Sequence, residues 1–222
     1  GQASPAYGVT TAQGSQVLRM QPPGPLLPGA HAVDREHRVM KALQGTDVPV
    51  PKMLAYCSDA AILGTPFYLM EFLDGRVVMD QSLPGMDPKQ RGDIYREMNR
   101  VIANLHALDY QALGLGDFGK TGNYLGRQIA RWSRQTLAST LPVPDAMQRL
   151  MEWLPQNLPA GDETTLVHGD YRLDNLVFHA TQPRVIGVLD WELSTLGHPL
   201  ADFSYQCMSW HIPSTLWRGI AD

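Results

Sequence analysis

The feature that most restricts this chain is the run His168-Gly169-Asp170-Tyr171-Arg172-Leu173-Asp174-Asn175, followed after one apolar segment by Asp190. The run has the form H-x-D-x-x-x-x-N and lies between β-type segments at 164–167 and 175–178, while a third, 185–189, leads into Asp190. A tight loop between two strands, with a carboxylate at the end of the next, lets three polar heads converge. Phosphoryl transfer needs such a set. One carboxylate accepts or orients the attacking hydroxyl, and an amide oxygen and a second carboxylate hold Mg²⁺ against the phosphate oxygens. Asp170 suits the first role; Asn175 and Asp190 suit the second. The bland alternative is an exposed polar turn with unrelated carboxylates, and the separate strand-end position of Asp190 argues against it.

Around this unit the pattern divides in two. Extended pieces at 7–10 and 16–20 read as a hairpin with turn chemistry at 12–15, and the Pro/Gly-rich run 21–29 reads as a loop. Ala32, Val39, Met40 and Leu43 share one face of a helix over 31–43, with Asp34 and Glu36 in its acidic first turns. Short extended segments at 48–51 and 53–56 and an apolar β-type run at 66–72 follow, ending at the turn Asp74-Gly75. Beyond it the period changes. Ile94, Met98, Val101, Ile102 and Leu105 mark a helix, and 124–137 and 145–154 read as two more. The expected class is α+β, with a small β-rich lobe over 1–73 and a mostly helical lobe over 74–222. The second lobe carries the catalytic loop 168–175 and the metal strand 185–192.

Composition removes several classes. A net charge of −4 offers no basic footprint for nucleic acid. Cys57 and Cys207 stand far apart without a CxxC or Cys/His cluster, which reads as two core thiols rather than a disulfide or zinc framework. No segment has the run of ~18 apolar residues that crosses a bilayer, and no charged-then-apolar leader opens the chain, so a cytoplasmic protein is expected.

The stretches Leu166-Val167-His168-Gly169-Asp170 through Phe178, and Leu189-Asp190-Trp191-Glu192 through Gly197-His198-Pro199-Leu200-Ala201-Asp202, resemble the aminoglycoside phosphotransferase and choline kinase superfamily. They are most similar to the branch found as the kinase-like domain of large acyl-CoA dehydrogenases. Val17-Leu18-Arg19, Pro22-Pro23-Gly24, Ala30 to Glu36 and Tyr124-Leu125-Gly126-Arg127-Gln128 extend the similarity over nearly the whole chain. The resemblance implies a bilobal protein-kinase-like fold with ATP in the cleft between lobes. It makes Asp170 the catalytic residue, has His168 brace the catalytic loop, and has Asp202 hold that loop from behind. His198 reads better as a satisfied structural histidine. Glu192 reads either as a member of a metal site or as a solvated carboxylate.

The same resemblance puts Arg19 at the family's cation position for the α/β phosphates, with Glu36 as its inward-facing helix carboxylate, since a buried carboxylate needs a partner. Ser4, in the loop before the hairpin, and Glu71 and Leu73, at the end of the apolar run, complete the nucleotide-binding set. Two departures stand out. Gly1-Gln2-Ala3-Ser4-Pro5-Ala6-Tyr7 lacks two polar side chains of the family loop, and Met20 replaces a basic residue after Arg19. The family also carries an extra helix before this loop and about a hundred residues of helices after Asp202, so the helical lobe is expected to be incomplete.

Gly114-Leu115-Gly116-Asp117-Phe118-Gly119-Lys120-Thr121 also satisfies the P-loop pattern G-x-x-x-x-G-K-[ST]. That motif works only with a strand before it and a helix starting at the Lys. Here a helix precedes it and Gly122-Asn123 follow at once. The leading expectation is therefore an ATP- and Mg²⁺-dependent phosphotransferase acting on a small-molecule hydroxyl, such as a hydroxyacyl compound. The alternative is a kinase-like module that binds nucleotide or acyl-CoA without turnover.

Overall fold

The computed structural model describes residues 4–12, 14–22 and 32–221. Residues 23–29 of the loop expected over 21–29, the segment 1–3 before Ser4 and Gln13 of the hairpin turn lie outside the described residues. Strands β1 (Ala6–Thr11) and β2 (Gly14–Met20) form the expected hairpin. With β3 (Met53–Cys57) and β4 (Phe67–Glu71) they make an antiparallel sheet in the order β1-β2-β4-β3. Helix α1 (Val33–Leu43) packs on this sheet through Val33, Val39, Met40 and Leu43, all buried, and Glu36 lies on the same face. The register sets Arg19 of β2 directly opposite Tyr68 of β4, so both side chains leave the sheet on one side.

A short helix α2 (Ala60–Leu63) and strand β5 (Gly75–Val77) were not anticipated; 48–51 forms no strand, and Gly75 begins β5 instead of closing a turn. Strand β5 joins β7 (Leu176–His179) and β8 (Val185–Val188) in a small sheet ordered β5-β7-β8. Helix α3 (Pro88–Ala107) is started by a capping box of Asp87 and Gln90 with Pro88 in its first turn, and buries Ile94, Met98, Val101, Ile102 and Leu105. That is the apolar stripe read from the sequence. Helices α4 (Tyr124–Leu137) and α5 (Asp145–Trp153) appear where expected, yet neither buries a single residue. Strand β6 (Thr165–Val167) pairs with β9 (Thr195–Gly197), and α6 (Pro199–Cys207) follows at once. Strand β9 is too short to show a period, and α6 buries Asp202 and Gln206 but no apolar residue fully, so neither is marked by an apolar pattern.

One expectation is corrected by burial: Cys57 and Cys207 are half-buried free thiols, not core residues. Among the described residues no helix is long and apolar enough to cross a membrane.

Candidate active site

The catalytic-loop residues hang between β6 and β7. Gly169 adopts a φ of +85°, and a Cβ there would stand 2.6 Å from the Leu193 carbonyl oxygen, so this turn requires glycine. The turn delivers two consecutive amides to one carboxylate. Asp202 on α6 accepts from the His168 N–H through Oδ2 at 2.6 Å and from the Gly169 N–H through Oδ1 at 2.7 Å, while His106 Nε2 lies 3.2 Å from Oδ2. A buried carboxylate satisfied by two amides fixes the loop from behind.

His168 is fully buried between the rings of Tyr171 and Trp191. Its Nε2 lies 2.9 Å from the Leu189 carbonyl oxygen and its Nδ1 accepts from the Asp170 N–H at 3.2 Å. One ring nitrogen must donate and the other accept, which assigns the neutral Nε2–H tautomer. Burial pushes its pKa down and favours the same form. His168 thus ties the catalytic loop to the strand end before Asp190.

Asn175 closes the loop. Its Nδ2 donates to the Asp170 carbonyl oxygen at 2.8 Å and to Asp170 Oδ2 at 3.0 Å. With the amide nitrogen committed, Oδ1 is the atom left to face a cation. The Asn175 carbonyl oxygen accepts from Leu189 N–H at 2.8 Å, which sets Asp190 beside Asn175 at the end of β8. Asp190 itself has a φ of +65°, an uncommon conformation for a residue with a side chain. Asn175 and Asp190 offer hard oxygen donors of the kind Mg²⁺ takes through few protein ligands. Among the described residues no group of three His, Cys, Asp or Glu side chains suited to a metal is found.

On the sheet side, Arg19 Nη2 donates to Asp190 Oδ1 at 2.7 Å and its Nε lies 3.1 Å from Glu36 Oε2. The Tyr68 hydroxyl donates to the same Glu36 oxygen at 2.9 Å. Burial raises the Glu36 pKa to about 7, against the opposing pull of Arg19 and Tyr68. Sharing Arg19 with Asp190 and leaving Oε1 without a hydrogen bond among the described residues both favour that direction. The expected Arg19 and Glu36 pair is present. Its third member, Tyr68, was hidden in an apolar run, where only the cross-strand register could reveal it.

Ser4 is buried just before β1. Glu71 and Leu73 flank the crossing from the sheet to β5 and line a cavity of about 280 Å³ together with Val17, Met70, Val177 and Leu189. Gly187 leaves the room into which Leu73 packs against β8. Sequence reasoning also missed an ionic chain beside the catalytic loop. Arg172 Nε lies 3.1 Å from Asp170 Oδ2 and 3.5 Å from Asp174 Oδ1, and Arg218 grips Asp174 with bonds of 2.9 and 2.7 Å. Arg218 is too distant in sequence for any local signal.

The other sequence-marked features are His198, Glu192 and the P-loop look-alike. His198 is buried; its Nδ1 accepts from the Leu200 N–H at the start of α6 and its Nε2 faces Glu163. Glu192 is half-buried in the turn after Asp190. The P-loop look-alike follows helix α3, and α4 starts only at Tyr124. Leu115 and Phe118 are buried, Arg35 stacks 4.1 Å from the Phe118 ring centroid and donates to its carbonyl oxygen at 2.7 Å, and Arg38 pairs with Asp117. Its carbonyls and its carboxylate bind arginines of α1.

A catalytic loop fixed by an α6 carboxylate, opposite a cation from a β hairpin, is a kinase-like arrangement, and the model of the phosphotransferase enzyme family matches residues 1–219. The chain belongs to the phosphotransferase enzyme family. It is 50% identical over its whole length to mouse acyl-CoA dehydrogenase family member 10 and 45% identical over 97% of its length to human acyl-CoA dehydrogenase family member 11. It spans 21% and 28% of those two proteins, about a quarter of the curated relatives it matches. A crystal structure of a Ralstonia eutropha protein, provisionally assigned as an aminoglycoside phosphotransferase, superposes with a TM-score of 0.90 at 57% identity over 99% of this chain and 65% of that one. The GDP complex of aminoglycoside 2'-phosphotransferase-IIIa shares the fold, with a TM-score of 0.68 at 16% identity over 94% of this chain and 70% of that one. The fold is therefore the kinase-like fold of the aminoglycoside phosphotransferases, and family and fold together support a small-molecule kinase-type enzyme.

Proposed function

We propose that this phosphotransferase moves the γ-phosphoryl group of ATP to a hydroxyl of a small molecule, over lobes bounded near residue 73. Asp170 accepts the proton of the attacking hydroxyl, oriented by the Asn175 amide, while the neutral His168 keeps the loop in register with Asp190. Arg19, steadied by Glu36 and Tyr68, moves from Asp190 toward the nucleotide phosphates. Ser4 borders those phosphates, and Glu71 and Leu73 receive the base in the cavity they line with Val17 and Leu189. Asn175 Oδ1 and the Asp190 carboxylate hold Mg²⁺, which when bound offsets the charge on the phosphate oxygens.

The observation that carries this reading is the 3.0 Å bond from Asn175 to Asp170 Oδ2, with Asp190 set beside Asn175 by the 2.8 Å backbone bond to Leu189. As acceptor we propose a hydroxyacyl compound, because relatives at 45–50% identity bear acyl-CoA dehydrogenase names. One observation favours the alternative of a nucleotide-holding module without turnover: Arg19 sits 2.7 Å from the carboxylate that a metal would need. A screen of ATP-dependent phosphorylation over hydroxyacyl compounds tests the proposal. Turnover that Asp170→Asn abolishes supports it, and nucleotide binding with no turnover on any acceptor transfers support to the alternative.

A further inference from the structure

Asp174 has two claimants. Arg218 takes both of its oxygens at 2.9 and 2.7 Å, whereas Arg172 Nε is 3.5 Å from Oδ1 and lies nearer to Asp170, at 3.1 Å. Arg172 Nε forms no hydrogen bond of good geometry among the described residues, so at this nitrogen proximity and charge, and not a directed bond, hold it nearer Asp170 than Asp174. Bidentate pairs outcompete single contacts. An Asp174 already gripped on both oxygens therefore has little left to draw Arg172 away.

We infer that Arg218 is a positioning residue for the proposed phosphoryl transfer: by saturating Asp174 it leaves Arg172 at Asp170. The inference rests on the phosphotransferase reading for its consequence but not for its geometry. Three features support an organised role for Arg218. It is only 19% exposed in its side chain, it stacks 4.6 Å from the Trp217 ring centroid, and it holds a φ of +59°, a conformation that side chains adopt only when their surroundings impose it. Asp170 is faced by Arg172 from its own loop and by Tyr205 from α6, and Arg218 approaches from the segment after α6.

The chain of contacts predicts a reversal that simple loss of structure does not produce. In Arg218→Ala, Asp174 becomes unpaired and captures Arg172. In the double variant Asp174→Asn with Arg218→Ala the competing charge is gone and Arg172 returns to Asp170. The test is the ¹⁵N NMR signal of the Arg172 Nε–H, assigned by its loss in Arg172→Lys, in the full chain. Adding Asp170→Asn should shift this signal in the wild type and in the double-variant background, and leave it unmoved in the Arg218→Ala background. A signal equally sensitive to Asp170→Asn in all three backgrounds overturns the inference. If Arg218→Ala does not fold, Arg218→Gln, which keeps the side-chain length, supplies the same comparison.

Kinetics gives the second arm. With Mg-ATP and a hydroxyacyl acceptor that the wild type phosphorylates, and ADP release as the readout, Arg218→Ala should lower kcat on the order of tenfold with KM for ATP within about twofold, and the double variant should recover most of it. A rise in KM without a fall in kcat overturns the inference. Failure of the wild type to bind Mg-ATP would instead remove the phosphotransferase reading, and the NMR comparison would still decide the positioning of Arg172.

Discussion

Two loops in this chain spell nucleotide-binding patterns, and they differ in what their flanking elements do with them. The run 168–175 sits between strands β6 and β7, and its polar groups turn toward one another: Asp202 beneath the amides, Asn175 on Asp170, His168 on the strand end before Asp190. The run 114–121 follows a helix, buries Leu115 and Phe118, and gives its carbonyls and Asp117 to arginines of α1. A pattern of letters has chemical meaning only where its backbone amides or carboxylates converge on an open point. In the first loop they do; in the second they are used up as packing.

The comparison can be broken by substitution, beginning with the largest effect. Asp170→Asn should lower ATP-dependent phosphoryl transfer on the order of 10³-fold, the usual weight of a general base, as measured by ADP release with a reactive acceptor. Retention of more than a tenth of the activity would remove Asp170 from its role.

Glu36 comes next and concerns pH. Its folded pKa is raised from 4.5 to about 7, so the folded state holds this proton more tightly than the unfolded chain does. The stability it lends is fully present below pH 4.5 and is lost as pH rises through about 7. Denaturant unfolding should show the stability of the wild type relative to Glu36→Gln falling by on the order of 3 kcal/mol across that window. A rise instead would mean that pairing with Arg19 outweighs burial.

Gly169→Ala should cost about 2 kcal/mol, because a Cβ would meet the Leu193 backbone and the positive φ would be strained. Thermal melting reads it, and an unchanged melting temperature would mean that the turn can relax. Lys120→Ala is the smallest. It should leave both turnover and stability nearly unchanged, within about 0.5 kcal/mol for stability. Loss of turnover confined to this variant would restore the P-loop reading.

Much of the site was legible because its chemistry is local. Asp170 and Asn175 lie five residues apart on one loop, Asp190 ends a strand with a clear apolar run, and Glu36 betrays itself as a charge on the buried stripe of α1. What stayed hidden depends on register and long-range closure. Tyr68 reaches Glu36 only because β2 and β4 pair Arg19 with Tyr68, and Arg218 reaches Asp174 from 44 residues away. Strands of three residues such as β5 and β9 carry no readable period. Helices α4 and α5 show the converse: their amphipathic pattern was plain, yet neither has a fully buried residue and Tyr124 to Ile129 are only half-buried, since pattern reports what a helix can bury and not what is there to bury it.

The most direct test is a crystal structure of this chain with Mg²⁺ and a non-hydrolysable ATP analogue. The account predicts a cation bound by Asn175 Oδ1 and the Asp190 carboxylate at about 2.1 Å. The γ-phosphate should face Asp170, and Arg19 should have turned from Asp190 to the phosphates. A nucleotide seated at 114–121, or a cation bound away from both Asn175 and Asp190, would contradict it.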